Sequence, residues 1–262
     1  MIPDRADIDR ARRLIAPHCL RTPLVRLDPM RAESFAAGAE VYLKLENLQP
    51  IGAFKLRGAA AVVGELAAAE MERGLVTASA GNMAQAVAYL ARELGVSCTV
   101  LMPDFAPQSK VAASERLGAR VILITYEQWW RAFQERGFPG IEGTFIHAFD
   151  DTRVMAGNGT IAWEILEDLP QADAIVTPWG GGGLTCGVAA AVRALRPSCR
   201  VVAAEVAGAA PLAASLAAGR PTEIEFTSSF VDGIGSRSVF PQMFERANRL
   251  GVQSAVAEVA EV

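Results

Sequence analysis

Short apolar runs alternate with amphipathic stretches of helical period along most of this chain. Runs at Val41–Glu46, Leu75–Ser79, Cys98–Met102, Arg120–Ile124, Thr144–Ala148, Ala174–Pro178 and Arg200–Glu205 predict strands. Between them, apolar residues three and four apart predict helices over Asn82–Leu94, Pro107–Leu117, Tyr126–Arg136, Met155–Leu169 and Leu184–Leu195. The strands are too apolar to leave one face wet, so the alternation predicts a mostly parallel sheet covered on both sides. Ligands of such sheets bind beyond the carboxyl ends of the strands, so the chemistry should lie where strands run into helices. At the end of the chain, Ser254–Val262 reads as the start of a helix.

Composition narrows the function classes. A chain of 262 residues can bury one large α/β core or two small ones. A net charge of -4 gives no electrostatic reason to expect nucleic acid or an anionic membrane as a partner. Apolar stretches are broken well short of the roughly 20 residues that a membrane span needs. Met1 leads into the charged segment Asp4–Arg13 without the apolar core of a signal peptide, which makes the cytoplasm the expected location. The four cysteines are scattered with no CxxC pair and read as small buried hydrophobes. The two histidines, His18 and His147, lie in no ligand-spaced cluster, which argues against a histidine metal site or a Ser-His-Asp triad.

Three strand-to-helix loops carry candidate chemistry. The first, Leu48–Ala59, breaks at Pro50 and Gly52 and places Lys55 between Phe54 and Leu56 at a helix start. Desolvation there disfavours the ammonium and lowers the lysine pKa, as a Schiff-base lysine requires, although a lone lysine opening a helix is more often a surface residue. The second, Thr77–Gln85, offers Ser79, Asn82 and free helix-start N–H groups to a carboxylate or phenolic oxygen; simple helix capping explains the same residues. The third holds four consecutive glycines, Gly180, Gly181, Gly182 and Gly183, before Leu184, so that several N–H groups can face one anion, with phosphate the natural guest. A dinucleotide fold would also place glycines there and an acid at Glu205, but the third glycine of GxGxxG is missing and the Lys55 loop would go unexplained.

Taken together, the loops resemble the fold-type II pyridoxal-phosphate enzymes, and within them the threonine/serine dehydratase and serine racemase group. The likeness runs from Thr22-Pro23-Leu24 to about Val262. It includes Lys44-x-Glu46-x-x-Gln49, Gly52-x-Phe54-Lys55-x-Arg57-Gly58-Ala59, Ser79-Ala80-Gly81-Asn82-x-Ala84-Gln85 and Ala106-Pro107-x-x-Lys110. It continues through Phe149-Asp150-Asp151, Ala156-Gly157-x-Gly159-Thr160, the glycine loop and Asp232-Gly233. The resemblance implies a tryptophan synthase β-subunit-like fold of two α/β domains, a large one of residues 1–49 plus 149–262 and a small one of residues 50–148. It implies pyridoxal 5'-phosphate in the cleft between them, held as a Schiff base on Lys55. Phe54 would lie against one ring face and Gly233 against the other. Asn82 would bond the phenolic oxygen, Gly180 to Leu184 the phosphate, and Ser79, Ala80, Gly81, Asn82 and Met83 the substrate carboxylate. The implied reaction is deaminating dehydration of threonine or serine to 2-oxobutyrate or pyruvate, with the freed Lys55 amine taking the Cα proton. The resemblance also implies a homodimer.

Departures from the group's pattern bear on specificity. Ala80 stands where the racemase has an acid/base serine, which favours dehydration over racemisation. Ala53 and Met83 replace a usual serine and a common histidine, leaving a hydroxyaspartate-type dehydratase or a racemase as alternatives. Asn158 stands in the place of a usual glutamine. The group's divalent-cation site uses carboxylates after the strand ending at Glu205, but Ala209 and Pro211 follow here, so weak metal binding or none is expected. The resemblance further implies a continuation past the position of Val262, with a Ser-Gly-Gly-Asn-like segment contacting the pyridine nitrogen; it is not among these residues, which leaves a truncated, non-catalytic protein of this fold as a further alternative.

Overall fold

A computed structural model describes residues 1–28 and 38–262. The chain opens with α1 (Arg5–Ile15), whose capping box pairs Asp4 and Asp7, and which buries Ile8, Ala11 and Ile15. β1 (Leu24–Arg26) and β2 (Tyr42–Lys44) then form an antiparallel pair, followed by a 3-10 turn at Glu46–Leu48 and α2 (Lys55–Val63).

Two parallel sheets follow, rather than the one sheet that the alternation alone suggested. The first has the order β5-β4-β3-β6, from β3 (Leu75–Ala78), β4 (Cys98–Pro103), β5 (Arg120–Ile124) and β6 (Thr144–Phe145). α3 (Ala68–Glu72) leads into β3, and α4 (Asn82–Leu94), α5 (Gln108–Arg116) and α6 (Tyr126–Glu135) run between the strands. The second has the order β7-β8-β9, from β7 (Ala174–Pro178), β8 (Arg200–Val206) and β9 (Gln253–Ala257). It is accompanied by α7 (Thr152–Asp168), α8 (Gly183–Leu195), α9 (Pro211–Ala218) and α10 (Pro241–Arg249). No helix among the described residues is long and apolar enough to cross a membrane.

Two expectations need correction. The strand expected over Thr144–Ala148 pairs with β3 only at Thr144 and Phe145. Beyond Phe145 one further backbone bond, Ile146 N–H to the Val76 carbonyl, is made, and the Thr77 hydroxyl then donates to the Ile146 carbonyl at 2.9 Å. The chain is thereby released into a turn. The helix expected at Ser254–Val262 is instead β9, paired in parallel with β8, followed by a 3-10 turn at Val259–Glu261. Pairing with an open sheet edge there outweighs the helix preference of Ala and Glu.

The helices α2, α7 and α8 stack at the centre, and α2 also packs on α4. Close approach explains the glycines of α7: a Cβ on Gly157 would overlap the Arg57 carbonyl of α2, and one on Gly159 would lie 2.8 Å from the Gly187 carbonyl of α8. Beside this stack lies a buried charge network. Arg57 donates to both carboxylate oxygens of Glu46 and to both of Glu164, and Lys44 pairs with Glu164 at 2.6 Å. Two cations and two anions balance, and the network ties the first strand pair to α2 and α7.

Candidate active site

Lys55 is the first residue of α2. Gly52, at φ +71°, makes the left-handed turn that carries the chain from the 3-10 turn into this helix. The Lys55 amine donates to the Ala148 carbonyl at 2.8 Å and lies 5.3 Å from the Phe54 ring centre. Removal from water lowers its pKa from 10.5 to about 8. The expected effect of the sequence setting is therefore present, although Lys55 is only half-buried as a residue.

The second loop follows β3. The Ser79 N–H donates to the Leu101 carbonyl at 3.0 Å, and its hydroxyl accepts from the Gly81 N–H at 3.2 Å. Gly81 precedes α4 and supplies no side-chain cap, so the first-turn N–H groups face outward for an anion. Ala80 and Gly81 are half-buried and Asn82 is exposed. Met83 is 1% exposed and belongs to the hydrophobic core, so only its backbone can face a ligand.

In the third loop the glycines are held between two aromatic rings. Gly182 has φ +85°, and a Cβ there would come 2.5 Å from the Trp179 ring. Cβ atoms on Gly181 and Gly183 would collide with Phe149. The bare backbone at the α8 start is thus a cradle of N–H groups at the positive end of a 13-residue helix. Leu184 is buried in the first turn of α8, and Thr185 binds Thr177 hydroxyl to hydroxyl at 2.9 Å. Gly233 is brought beside this loop: a Cβ on Gly180 would sit 3.9 Å from its carbonyl. The Gly235 N–H bonds the Trp179 carbonyl.

Sequence reasoning missed the segment that joins the first and third loops. His147, Ala148 and Phe149 follow β6, and Ala148 meets Lys55 while Phe149 meets the glycines. The signal was present in the Phe149-Asp150-Asp151 motif and in a histidine after a strand, but nothing local says what they touch. Asp150 anchors the segment, accepting from Arg136 at 3.1 Å, Gln242 at 2.9 Å and Arg246 at 2.5 Å. Arg136 is the one non-glycine residue with positive φ among those described.

Glu205 has a different task from those considered for it. Its carboxylate accepts from the N–H groups of Leu212 and Ala213 at the start of α9, both at 2.8 Å, and from the Ser254 hydroxyl at 2.7 Å. It is a buried counter-charge to a helix start, with its oxygens already engaged, which leaves it poorly placed to hold a ribose or a cation.

The donor set suits a phosphate-bearing aldehyde: a desolvated amine, a glycine cradle closed to any side chain, and a separate helix start for a carboxylate. The sequence profile of the family described as "Pyridoxal-phosphate dependent enzyme" matches residues 15–261. The chain belongs to this family, and its cofactor is pyridoxal phosphate. It is 39% identical over 245 residues to an L-threonine ammonia-lyase of Thermotoga maritima, covering 91% of this chain and 59% of that protein. It is 37% identical to a catabolic L-threonine dehydratase of Staphylococcus aureus, spanning 70% of its length. Among solved structures, maize serine racemase superposes with a TM-score of 0.87 at 31% identity, covering 99% of this chain and 80% of that one. A threonine deaminase isoform from Solanum lycopersicum gives 0.82 at 28% identity, with 97% and 69% covered. The fold is therefore that of fold-type II pyridoxal-phosphate enzymes.

Proposed function

We propose that this chain carries the deaminating dehydration of L-threonine and L-serine, giving 2-oxobutyrate or pyruvate and ammonia. The observation that carries the reading is the Lys55 amine, desolvated at a helix start and facing a turn that also packs the glycine cradle. The threonine activities of the Thermotoga and Staphylococcus relatives support the substrate. Residues 50–148 act as the small domain and residues 1–49 with 149–262 as the large one, in line with the two separate parallel sheets.

Lys55 would hold the cofactor covalently, the N–H groups of Gly180, Gly181, Gly182, Gly183 and Leu184 its phosphate, and Asn82 its phenolic oxygen, with Phe54 and Gly233 flanking its ring. When bound, pyridoxal phosphate supplies an electron sink for the pair left at the substrate Cα. The start of α4, from Ser79 through Ala80, Gly81 and Asn82 to Met83, binds the substrate carboxylate. The substrate amine would take the place of Lys55 on the cofactor, and the amine of Lys55 so freed, whose lowered pKa leaves a useful share of it neutral near pH 7–8, would take the Cα proton. The β-hydroxyl leaves as water, and the proton it gains balances the one that Lys55 takes from Cα. The enamine product then adds water and loses ammonia, so that threonine is converted to 2-oxobutyrate plus ammonia with no net oxidation.

Racemisation needs a second acid/base on the opposite face of Cα, and the methyl group of Ala80 can neither give nor take a proton. The test is the visible spectrum of the protein with pyridoxal phosphate, before and after L-threonine, beside Lys55→Ala. A cofactor band that requires Lys55, with 2-oxobutyrate released, is the expected result. A band without product from threonine or serine would remove the assigned reaction, and L- to D-serine conversion rivalling elimination would replace it with racemisation.

A further inference from the structure

The chemistry above makes no use of the buried histidine that follows β6. His147 is 1% exposed and sits among the rings of Phe133, Phe145 and Phe149, at 5.3, 6.3 and 4.6 Å between centres. Its Nδ1 accepts two backbone N–H groups, from Phe149 at 3.2 Å and from Asp150 at 2.8 Å. An imidazole that accepts at Nδ1 is neutral and carries its proton on Nε2. The surroundings favour that form: burial lowers the pKa to about 4, Arg136 and Lys55 act in the same direction, and Asp150 and Asp151 oppose them.

The turn held by these two bonds presents two groups to the site. The carbonyl of Ala148 receives the Lys55 amine, and Phe149 fills the space beside the glycines, its ring against Gly181 and its backbone and Cβ against Gly183. We propose that His147 is a positioning residue whose Nδ1, by fixing this turn, sets both the carbonyl that orients Lys55 and the ring that shapes the glycine cradle. One side chain thereby couples the amine end of the site to its anion end. The inference rests on the reading of Lys55 and the cradle as the cofactor site.

Side-chain chemistry supplies the test. Asparagine places its amide oxygen where His147 has Nδ1, glutamine places its polar group near the Nε2 position, and leucine has no acceptor. Two quantities are measured on the full chain carrying His147→Asn, His147→Gln or His147→Leu. One is the dissociation constant for pyridoxal phosphate. The other is the pH midpoint for acetylation of Lys55 without cofactor, read by mass spectrometry.

His147→Gln and His147→Leu should weaken cofactor binding about tenfold, the cost of one or two lost hydrogen bonds. They should also raise the Lys55 midpoint from about 8 towards 10.5, because a loosened turn admits water to the amine. His147→Asn should stay within about threefold of wild type in binding. If leucine prevents folding, the two polar variants carry the comparison by themselves. Equal behaviour of Asn and Gln, or no change in either quantity, would overturn the proposal. A wild-type protein that ignores pyridoxal phosphate would sink the cofactor reading instead, and the Lys55 midpoint would still decide the positioning role.

Discussion

At the scale of single residues, Lys55 works at a cost to stability. The unfolded chain keeps the lysine proton up to about pH 10.5, while the folded chain gives it up near 8. Between these values the unfolded state binds more protons, so stability rises with pH across the window; below about pH 8 the full cost of burying an ammonium is present. Lys55→Met removes that cost. At pH 7 the cofactor-free variant should melt roughly 3 °C above wild type by calorimetry, with the gap closing towards pH 10.5. A variant that melts lower would mean that the bond to the Ala148 carbonyl outweighs desolvation. Met83 gives the opposite lesson at this scale. It lies in a candidate binding loop, yet its side chain is core, so a substitution there would act through packing.

At the scale of elements, the stack of α2, α7 and α8 explains the Ala156-Gly157-x-Gly159-Thr160 motif without any chemistry. Its glycines let three helices approach backbone to backbone. A Cβ on Gly187 would overlap the Met155 carbonyl of α7, the helix that also packs on α2, which begins at Lys55. Gly187→Ala should therefore cost about 2–3 kcal/mol in urea denaturation and weaken cofactor binding as well. A neutral outcome would show that the stack can slide. Asn158 lies between the two α7 glycines, fully buried, and neither polar atom of its amide has a partner among the described residues. Element limits were legible wherever the apolar period was clean: the helix over Asn82–Leu94 and the strands over Arg120–Ile124 and Ala174–Pro178 have the bounds expected. They were illegible at β9, whose short Gln-Ser-Ala-Val-Ala run becomes a strand only because β8 offers it an edge.

At the scale of the whole molecule, the network of Arg57, Lys44, Glu46 and Glu164 joins segments far apart in sequence. Arg57 reaches the Thr160 hydroxyl and the Leu20 carbonyl as well, so the α2 start is fixed from several sides. Glu164→Gln keeps the shape but leaves two buried cations with the single carboxylate of Glu46. Loss of a partner in a buried pair is expected to cost about 3–5 kcal/mol, measured by chemical denaturation. A loss below about 1 kcal/mol would mean that water reaches the network. Further from α2, Lys110 of α5 pairs with Asp232 at 2.8 Å, and Trp130 of α6 meets Phe240 with 5.0 Å between ring centres. Helices of the first sheet thus meet the segment that precedes α10 through side chains that no local pattern connects.

The sequence by itself determined the parallel α/β class, most strand and helix positions, and the three loops where strands run into helices. Those are set by local causes: apolar period, backbone freedom at Gly52 and Gly182, and free N–H groups at helix starts. Only the tertiary structure decided that Ser254–Ala257 pairs as strand with β8, and that Glu205 serves α9. It alone brought the segment from His147 to Phe149 between Lys55 and the glycine cradle. The physical reason is separation along the chain: Lys55 and Ala148 lie 93 residues apart, and a hydrogen bond across that distance leaves no periodic trace in the residues that make it.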